Sequence, residues 1–318
     1  MKRLRIVFCG TPQFAVPPLK HLLEQADFEI EGVFTQPDRP RGRGQEVSFS
    51  AVKEAALAAN LPLFQPAKIR TPEAEEQLRS LAPDAVVIIA YGQIVPARLL
   101  TIPRLGWINL HASLLPKYRG AAPIHWAIAN GESVTGNTTM RIDAGMDTGE
   151  MLLQQELAIG PEETAPEVAA RLSQAGAALM AESLRGLNEG TITPRKQDHE
   201  AASLAPMLKR EDGEIDWRRR AQEIYNRMRG FTPWPGAYTE FRGQTCHLLG
   251  RPVPGETSNE EPGTLLALRS ALRVVCGAAT ILELSHVKVE GRKQISAMEF
   301  GRGARLHVGE RFGNLDLH

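Results

Sequence analysis

The stretch DAVVIIAYG, residues 84–92, decides the fold because its centre is an unbroken run of apolar, largely β-branched side chains. Such a run predicts a strand that is buried on both faces, as in the parallel sheets of α/β proteins. A second apolar run, LRIVFCG at residues 4–10, also ends in a glycine and predicts another buried strand.

Strand and helix patterns alternate outward from these two runs. Further strands are predicted at residues 29–36, 63–64, 106–111, 137–143 and 150–158, and helices in the second half of residues 12–25 and at residues 50–59, 72–81, 122–130 and 164–187. This alternation predicts a doubly wound, Rossmann-like α/β domain over residues 1–189, with a mostly parallel sheet. Ligand sites in such folds lie at the carboxyl ends of the strands.

The pattern changes near residue 190. Residues 190–206 are polar and lack periodicity, which predicts a linker. A helical segment at 216–229 is followed by short apolar runs with glycine and proline between them. We therefore predict a second, smaller domain over residues 207–318, built as an antiparallel sheet or a β-barrel of the OB-like type.

Composition favours a soluble protein of the reducing cytoplasm. The 318 residues are 42% hydrophobic and 23% charged, with a formal net charge of zero. The first apolar run stops at Gly10, which is too early for a signal peptide, and no stretch reaches the roughly 20 apolar residues of a membrane span. Three widely spaced cysteines without a CxxC pair predict neither disulfides nor a metal site. We expect a monomer, because no long apolar stripe is predicted to be exposed.

The segment WINLHASLLPKYRG, residues 107–120, carries the first chemical signal. Side chains alternate along a strand, so Asn109 and His111 are predicted on the same face, at the end of a strand and next to a proline-containing turn. An amide can donate to an oxygen that gains negative charge, and an imidazole can donate to the same oxygen or move a proton. The spacing alone also fits a turn-capping asparagine and an ordinary buried histidine.

The segment RIDAGMDTGE, residues 141–150, carries the second signal. Asp143 and Asp147 lie in a glycine-rich turn between two predicted strands. A carboxylate there can orient His111 or accept a proton through water. It can equally be a turn aspartate that binds its own backbone.

Taken together, the two segments resemble the formyltransferase family that uses 10-formyltetrahydrofolate. The shared pattern is GxxNxHxSLLPxxRGxxP, beginning at Gly106, followed by GxDTG, beginning at Gly145. The resemblance implies a catalytic group of Asn109, His111 and Asp147. It also implies that a 10-formyltetrahydrofolate co-substrate binds at Ser113, Leu114, Leu115 and Pro116 and along the neighbouring strand, at Ile89 and Tyr91, without a metal.

The chain resembles, over essentially its full length, those family members whose acceptor is methionyl initiator tRNA. Its opening segment, the loop GVFTQPDRPRGRG and the second domain with FTPWPGA, residues 231–237, all contribute to this resemblance. The loop at residues 36–45 places Arg39, Arg41 and Arg43 between glycines and prolines. Three guanidinium groups on such a segment can bind phosphates, so the resemblance implies that this loop and the second domain bind tRNA. Without the resemblance, the loop reads as solvated surface.

Three other functions are compatible with parts of the pattern. A formyltransferase for a small amine, such as a nucleotide sugar or a glycinamide ribonucleotide, would share the catalytic residues but would not need the arginine loop. A tRNA-binding module without catalysis would not need Asn109, His111 and Asp147. A hydrolase that releases formate from the same folate would use water as the nucleophile.

Overall fold

The fold is taken from a computed structural model, which describes residues 3–41, 46–267 and 270–313. The chain divides into two compact units. The first comprises the described residues of Met1–Pro123, Val134–Ala158 and Glu167–Pro206, and the second those of Ile124–Ser133, Ile159–Pro166 and Met207–His318.

The described part of the first unit contains a seven-stranded mixed sheet. Its strands are β1 (Leu4–Gly10), β2 (Phe28–Phe34), β5 (Leu63–Phe64), β6 (Ala85–Ile89), β7 (Trp107–His111), β8 (Val134–Arg141) and β9 (Met151–Ala158), and a separate hairpin is formed by β3 (Arg39–Arg41) and β4 (Glu46–Ser48). The order across the sheet is β5-β2-β1-β6-β7-β8-β9. The strands from β5 to β7 pair in parallel, whereas β8 and β9 are antiparallel to their neighbours.

Both faces of the sheet are covered by helices, which explains the unbroken apolar runs. The helices of the chain are α1 (Val16–Glu24), α2 (Ala51–Ala58), α3 (Pro72–Ser80), α4 (Ala97–Leu100), α5 (Pro123–Ala129), α6 (Ala165–Glu189), α7 (Ala221–Gly230) and α8 (Ala297–Ala304). In β6, Val87 and Ile89 pack in the core shared with α1, α2 and α6, whereas Val86 and Ile88 pack with α3 and α4. The predicted doubly wound, Rossmann-like fold is therefore confirmed.

The second unit contains an antiparallel sheet that curves into a half-barrel. Its strands are β10 (Tyr238–Phe241), β11 (Gln244–Pro252), β12 (Leu265–Ala267), β13 (Leu272–Val275), β14 (Ile281–Val289) and β15 (Ile295–Ser296). They pair in the order β10-β11-β14-β13-β12, with β15 added beside β14. This confirms the predicted antiparallel β structure of the second half of the chain.

Residues 310–313 connect the two edges of this sheet. The N–H of Leu265, at the start of β12, donates to the carbonyl of Glu310, and the N–H of Gly313 donates to Glu240 on β10. Between these two hydrogen bonds, Phe312 is fully buried in the core of the unit. The segment thus joins strands that do not pair with each other directly.

Two short parts of the sequence fold with the second unit although they precede it in the chain. The ring of Trp126, on α5, lies 5.3 Å from that of Phe231, edge to face. The buried guanidinium of Arg229 donates to the carbonyls of Gly160 and Glu163. The units are therefore less contiguous than the predicted domains 1–189 and 207–318, and the polar segment 190–206 clusters with the first unit.

Some local predictions differ from the structure. The sequence predicts a loop at residues 36–45, but within it Arg39–Arg41 pairs with Glu46–Ser48 as a hairpin. The predicted helix at 216–229 begins only at Ala221, and the segment before it forms turns. Helices α4 and α8 were not predicted, because four residues are too few for periodicity and α8 is interrupted by two glycines.

We predict that Phe312→Ala destabilises the second unit strongly. The ring of Phe312 lies 5.7 Å from that of Trp217 and 5.5 Å from that of Phe241. Removing a buried phenyl ring costs about 3–5 kcal/mol. Urea unfolding of the full chain should show this loss in the free energy of unfolding.

Val308→Ala is the matched control, because Val308 belongs to the same terminal stretch and is fully exposed. It should change the free energy of unfolding by less than about 0.5 kcal/mol. Equal effects of the two substitutions would show that residues 310–313 do not stabilise the half-barrel.

Candidate active site

The carboxyl ends of β1, β2 and β6 meet at one edge of the sheet. The carbonyl of Tyr91, just after β6, accepts hydrogen bonds from Thr11 Oγ1 and from Gln36 Nε2, each at 3.0 Å. A pocket of about 310 Å³ opens beside them, and Thr11, Gln36, Arg39 and Tyr91 contribute to its lining. Polar groups from distant parts of the sequence therefore converge where the fold predicts a site.

Strand β7 brings Asn109 and His111 to this edge. Asn109 pairs with Ile88 on β6 and with Met140 on β8, and its side chain is half-buried. His111, two residues further on, is only 5% exposed. Its Nε2 lies 2.8 Å from the carbonyl oxygen of Tyr118. Since a carbonyl oxygen can only accept, Nε2 carries a hydrogen, and Nδ1 is the ring nitrogen left for another partner.

The two carboxylates in the turn between β8 and β9 bind different hydrogen-bond donors. Asp143 is exposed and accepts hydrogen bonds from the N–H of Gly145 and from the hydroxyl of Thr148. Asp147 instead points toward β7, and its Oδ2 accepts from the N–H of Gly120 at 2.9 Å. Asp143 is thus the turn-forming aspartate, and Asp147 is the one that approaches the histidine.

Oδ2 of Asp147 lies 3.6 Å from Nδ1 of His111, and both side chains are largely buried. Small shifts would bring these two atoms within hydrogen-bonding distance when Nδ1 is protonated. Asp147 itself has a left-handed backbone conformation, with φ of +52°, and so does Tyr118, which holds Nε2 of His111, with φ of +60°. Such conformations are uncommon outside glycine and concentrate at functional sites.

The segment from Ser113 to Pro116 is built into the site wall. The Ser113 hydroxyl is buried and donates to the carbonyl of Lys117, and the backbone of Leu115 is held by Thr138 and Gln154. Leu114 and Pro116 are half-buried and keep part of their surface free. A ligand at this wall would therefore contact Leu114 and Pro116 rather than the Ser113 hydroxyl.

The residues singled out on β6 and after it are also buried. Ile89 is fully buried, and the side chain of Tyr91 is covered, with burial raising the pKa of its phenol. The neighbouring residues Ala90 and Gly92 are exposed, and Ile94 is almost completely exposed. Contacts with a ligand at this edge would thus involve the backbone of Ala90 and Gly92 and the side chain of Ile94.

The predicted arginine loop is only partly described. Arg39 is exposed and lines the pocket beside Thr11. The backbone of Arg41 pairs with that of Glu46 in the hairpin, and Arg43 lies outside the described residues. The base of the hairpin is anchored by Asp38, which accepts hydrogen bonds from Lys53 and Gln65.

The cysteines take no part in this arrangement. Cys9 is fully buried near the end of β1, and burial raises the pKa of its thiol far above the usual range. Burial likewise raises the pKa of Cys246 to about 11 and that of Cys276 to about 12. All three therefore stay protonated at neutral pH and act as apolar packing residues.

No three or more histidine, cysteine or acidic side chains within residues 3–41, 46–267 and 270–313 come together as metal ligands would. Among the helices that the structure describes, none combines the length and apolar character of a membrane span.

Two residues that support the site, Gln197 and Arg119, have no role predicted from the sequence. Gln197, in the polar segment 190–206, donates from Nε2 to the carbonyls of Asp147 and Gly149, at 2.8 Å each. Its Oε1 accepts from the guanidinium of Arg119, which the motif contained without an assigned role. A lone glutamine 50 residues from its partner carries no local pattern that could reveal this contact.

Comparison with known protein families gives matches in both halves of the chain. The sequence profile described as "Formyl transferase" matches residues 2–184, and that described as "Formyl transferase, C-terminal domain" matches residues 207–305.

Individual relatives match over almost the whole chain. A methionyl-tRNA formyltransferase from Solibacter usitatus is 53% identical over 311 residues, which is 98% of this chain and 99% of the relative. One from Koribacter versatilis is 51% identical, with the same coverage.

Among solved structures, a sugar 3N-formyl transferase, WlaRD, crystallised in the presence of dTDP and 5-N-formyl-THF, superimposes with a TM-score of 0.65. The superposition covers 92% of this chain and all of that one, at 18% identity, and so indicates the same fold.

Proposed function

The chain belongs to the formyl transferase family. On that premise, we propose that it transfers the formyl group of 10-formyltetrahydrofolate to the amino group of methionyl initiator tRNA. The observation that carries this proposal is the full-length match to proteins named methionyl-tRNA formyltransferase, because it includes the second unit as well as the first. The product would be N-formylmethionyl-tRNA, which is used to initiate translation.

The catalytic step requires one bond to form and another to break. The neutral amine attacks the formyl carbon, a tetrahedral intermediate forms, and the bond to N10 of the folate then breaks. The amine loses a proton and the leaving nitrogen gains one. Negative charge develops on the formyl oxygen, so the step needs hydrogen-bond donors at that oxygen and a route for the proton.

We assign these roles to Asn109, His111 and Asp147. Asn109 and His111 lie on the same strand, so an amide and an imidazole can both face the formyl oxygen. Because Nε2 of His111 is bonded to Tyr118, Nδ1 is the nitrogen that donates to the oxygen or moves the proton. Asp147 keeps Nδ1 oriented, or relays a proton through water.

The folate donor is assigned to the edge formed by residues 90–92 and the wall at Leu114 and Pro116. A pterin ring is flat and carries several hydrogen-bonding groups along its edge. The backbone of the exposed Ala90 and Gly92 can satisfy such groups, while Ile94 and the half-buried Leu114 offer apolar surface to the ring. Four buried residues would support this site without contacting the ring. They are Ile89, Tyr91, Ser113 and Leu115.

The acceptor is assigned to tRNA rather than to a small amine, and the arginine hairpin supports this choice. Exposed Arg39 lies at the pocket edge, and Arg41 and Arg43 follow it in the sequence. A formate-releasing hydrolase or a sugar formyltransferase would not need three guanidinium groups here. We further propose that the protein acts as a monomer in the cytoplasm, where charged tRNA is present.

A formyl-transfer assay with 10-formyltetrahydrofolate tests the function directly. We expect methionyl initiator tRNA to exceed methionyl elongator tRNA by at least about tenfold in kcat/KM, a difference of about 1.4 kcal/mol. Free methionine should react far more slowly, because it lacks every contact to the nucleic acid. Release of formate without an acceptor, or preference for a small amine, would contradict the proposal.

Substitutions at the catalytic residues should abolish most of the rate while leaving the fold intact. Asn109→Ala, His111→Ala and Asp147→Asn should each lower kcat by about 100- to 1000-fold, the usual effect of losing one stabilising group. Single-turnover rates and melting temperatures measured on the same samples separate chemistry from stability.

The control is Asp143→Asn, in the same turn as Asp147. An amide oxygen at this position can still accept from Gly145 and Thr148, so the rate should stay within about threefold of the wild type. A wild-type rate for Asn109→Ala, His111→Ala or Asp147→Asn would remove that residue from the mechanism.

Replacing Arg39, Arg41 and Arg43 together by alanine should weaken tRNA binding far more than folate binding. We expect KM for the tRNA to rise much more than the KM for 10-formyltetrahydrofolate, and the salt dependence to fall by about one unit of slope per lost phosphate contact. Arg79→Ala is the control, since Arg79 is exposed in the same unit and pairs with Glu75. Equal effects of both variants on the KM for tRNA would exclude a specific role for the hairpin.

A further inference from the structure

The residues around His111 and Asp147 are held by a segment that lies far away in the sequence. Residues 197–205 run alongside the turn at 118–120, and they also reach the turn that carries Asp147. We call residues 197–205 the strap. It belongs to the first unit and contains no helix or strand apart from an isolated bridge between Leu204 and Arg119.

The strap first fixes the turn that supports His111. Ser203 Oγ accepts from the N–H of Tyr118 at 2.9 Å, and the Ser203 carbonyl accepts from the N–H of Arg119 at 2.8 Å. The N–H of Ala205 donates to the carbonyl of Arg119 at 2.7 Å. Tyr118 holds Nε2 of His111 and Gly120 holds Oδ2 of Asp147, so the position of both catalytic side chains depends on this turn.

Gly120 shows how closely the strap approaches. A Cβ atom at this position would lie 2.8 Å from the carbonyl oxygen of Ala205, and the backbone φ of +116° disfavours any other residue. The close packing leaves no room for the turn to move toward the strap.

Gln197 extends this support to Asp147 itself. Its amide nitrogen donates to two carbonyls of the catalytic turn, those of Asp147 and Gly149. Its amide oxygen accepts two hydrogen bonds from Arg119, at 2.7 and 3.0 Å. Arg119 in turn donates to Nδ1 of His199, at 3.2 Å. Gln197 and Arg119 are each only 6% exposed, so water competes little for these bonds.

We propose that Gln197 is a positioning residue for formyl transfer: it ties the turn that carries Asp147 to Arg119, and thereby keeps Asp147 against His111. The inference rests on the function proposed above, because Gln197 acts only through those two side chains. Asp147 has a left-handed backbone, and the two hydrogen bonds from one amide group stabilise that conformation. A catalytic group displaced by about 1 Å can lose about 100-fold in rate.

The test uses two substitutions in the full-length protein. Gln197→Glu keeps an acceptor for Arg119 but removes the donor to Asp147 and Gly149, so the protein should fold. Gln197→Leu removes both functions without adding a charge. We expect kcat for formyl transfer to fall by about 10- to 100-fold in both, with the KM of each substrate changing by less than about threefold.

A double-mutant comparison identifies the residue through which Gln197 acts. Combined with Asp147→Ala, Gln197→Glu should lower kcat by less than about threefold more, since the positioned group is already absent. A full additive loss in the double mutant, or single variants within about twofold of the wild type, would overturn the proposal.

Amide exchange gives a readout that does not depend on activity. The N–H of Gly120 donates to Asp147, so its hydrogen exchange should become faster in both Gln197 variants. The control is Asn137→Ala, which removes a buried amide that donates to the carbonyl of Leu172 on α6; it should lower stability without selectively exposing Gly120. If the wild type transfers no formyl group, the proposed function fails, and unchanged Gly120 exchange would then separately overturn the positioning role.

Discussion

The hydrogen bond from Nε2 of His111 to the carbonyl of Tyr118 is the constraint on which the rest of the site depends. It uses one ring nitrogen and so determines that Nδ1 faces Asp147. The same turn presents the N–H of Gly120 to the Asp147 carboxylate. The backbone of residues 118–120 therefore determines both the tautomer of His111 and the distance between His111 and Asp147. A shift of this backbone would change the two together.

The fold was predictable because each central strand of the sheet is covered on both faces. The alternate residues of β1 and β6 enter two different cores, and this requires apolar side chains at nearly every position. The hairpin of Arg39–Arg41 was not predictable, since a strand made of arginine and proline has no apolar alternation and owes its form to pairing with Glu46–Ser48. The start of α7 at Ala221 was missed because the polar residues before it fit a helix or a turn equally well.

Local geometry predicts the candidate site only where its residues are neighbours in sequence. Asn109 and His111 are two positions apart on one strand, so local geometry places them together. Local geometry alone does not distinguish Asp143 from Asp147, because each lies two residues from a glycine, and only the family resemblance singles out Asp147. In the structure the difference arises from which backbone N–H each carboxylate reaches. Gln197 could not be found at all, since its contacts depend on how a polar segment without periodicity returns to the sheet edge.

The discontinuous make-up of the second unit has a consequence for how such a protein can be divided. A gene cut within residues 190–206 would leave α5 and Ile159–Pro166 on one fragment and their packing partners on the other. The first fragment would carry the uncovered ring of Trp126, and the second would contain the Arg229 guanidinium without its carbonyl acceptors. The two halves matched by the sequence profiles therefore cannot be exchanged independently between relatives. Recombination would have to exchange all three segments of the second unit together: Ile124–Ser133, Ile159–Pro166 and Met207–His318.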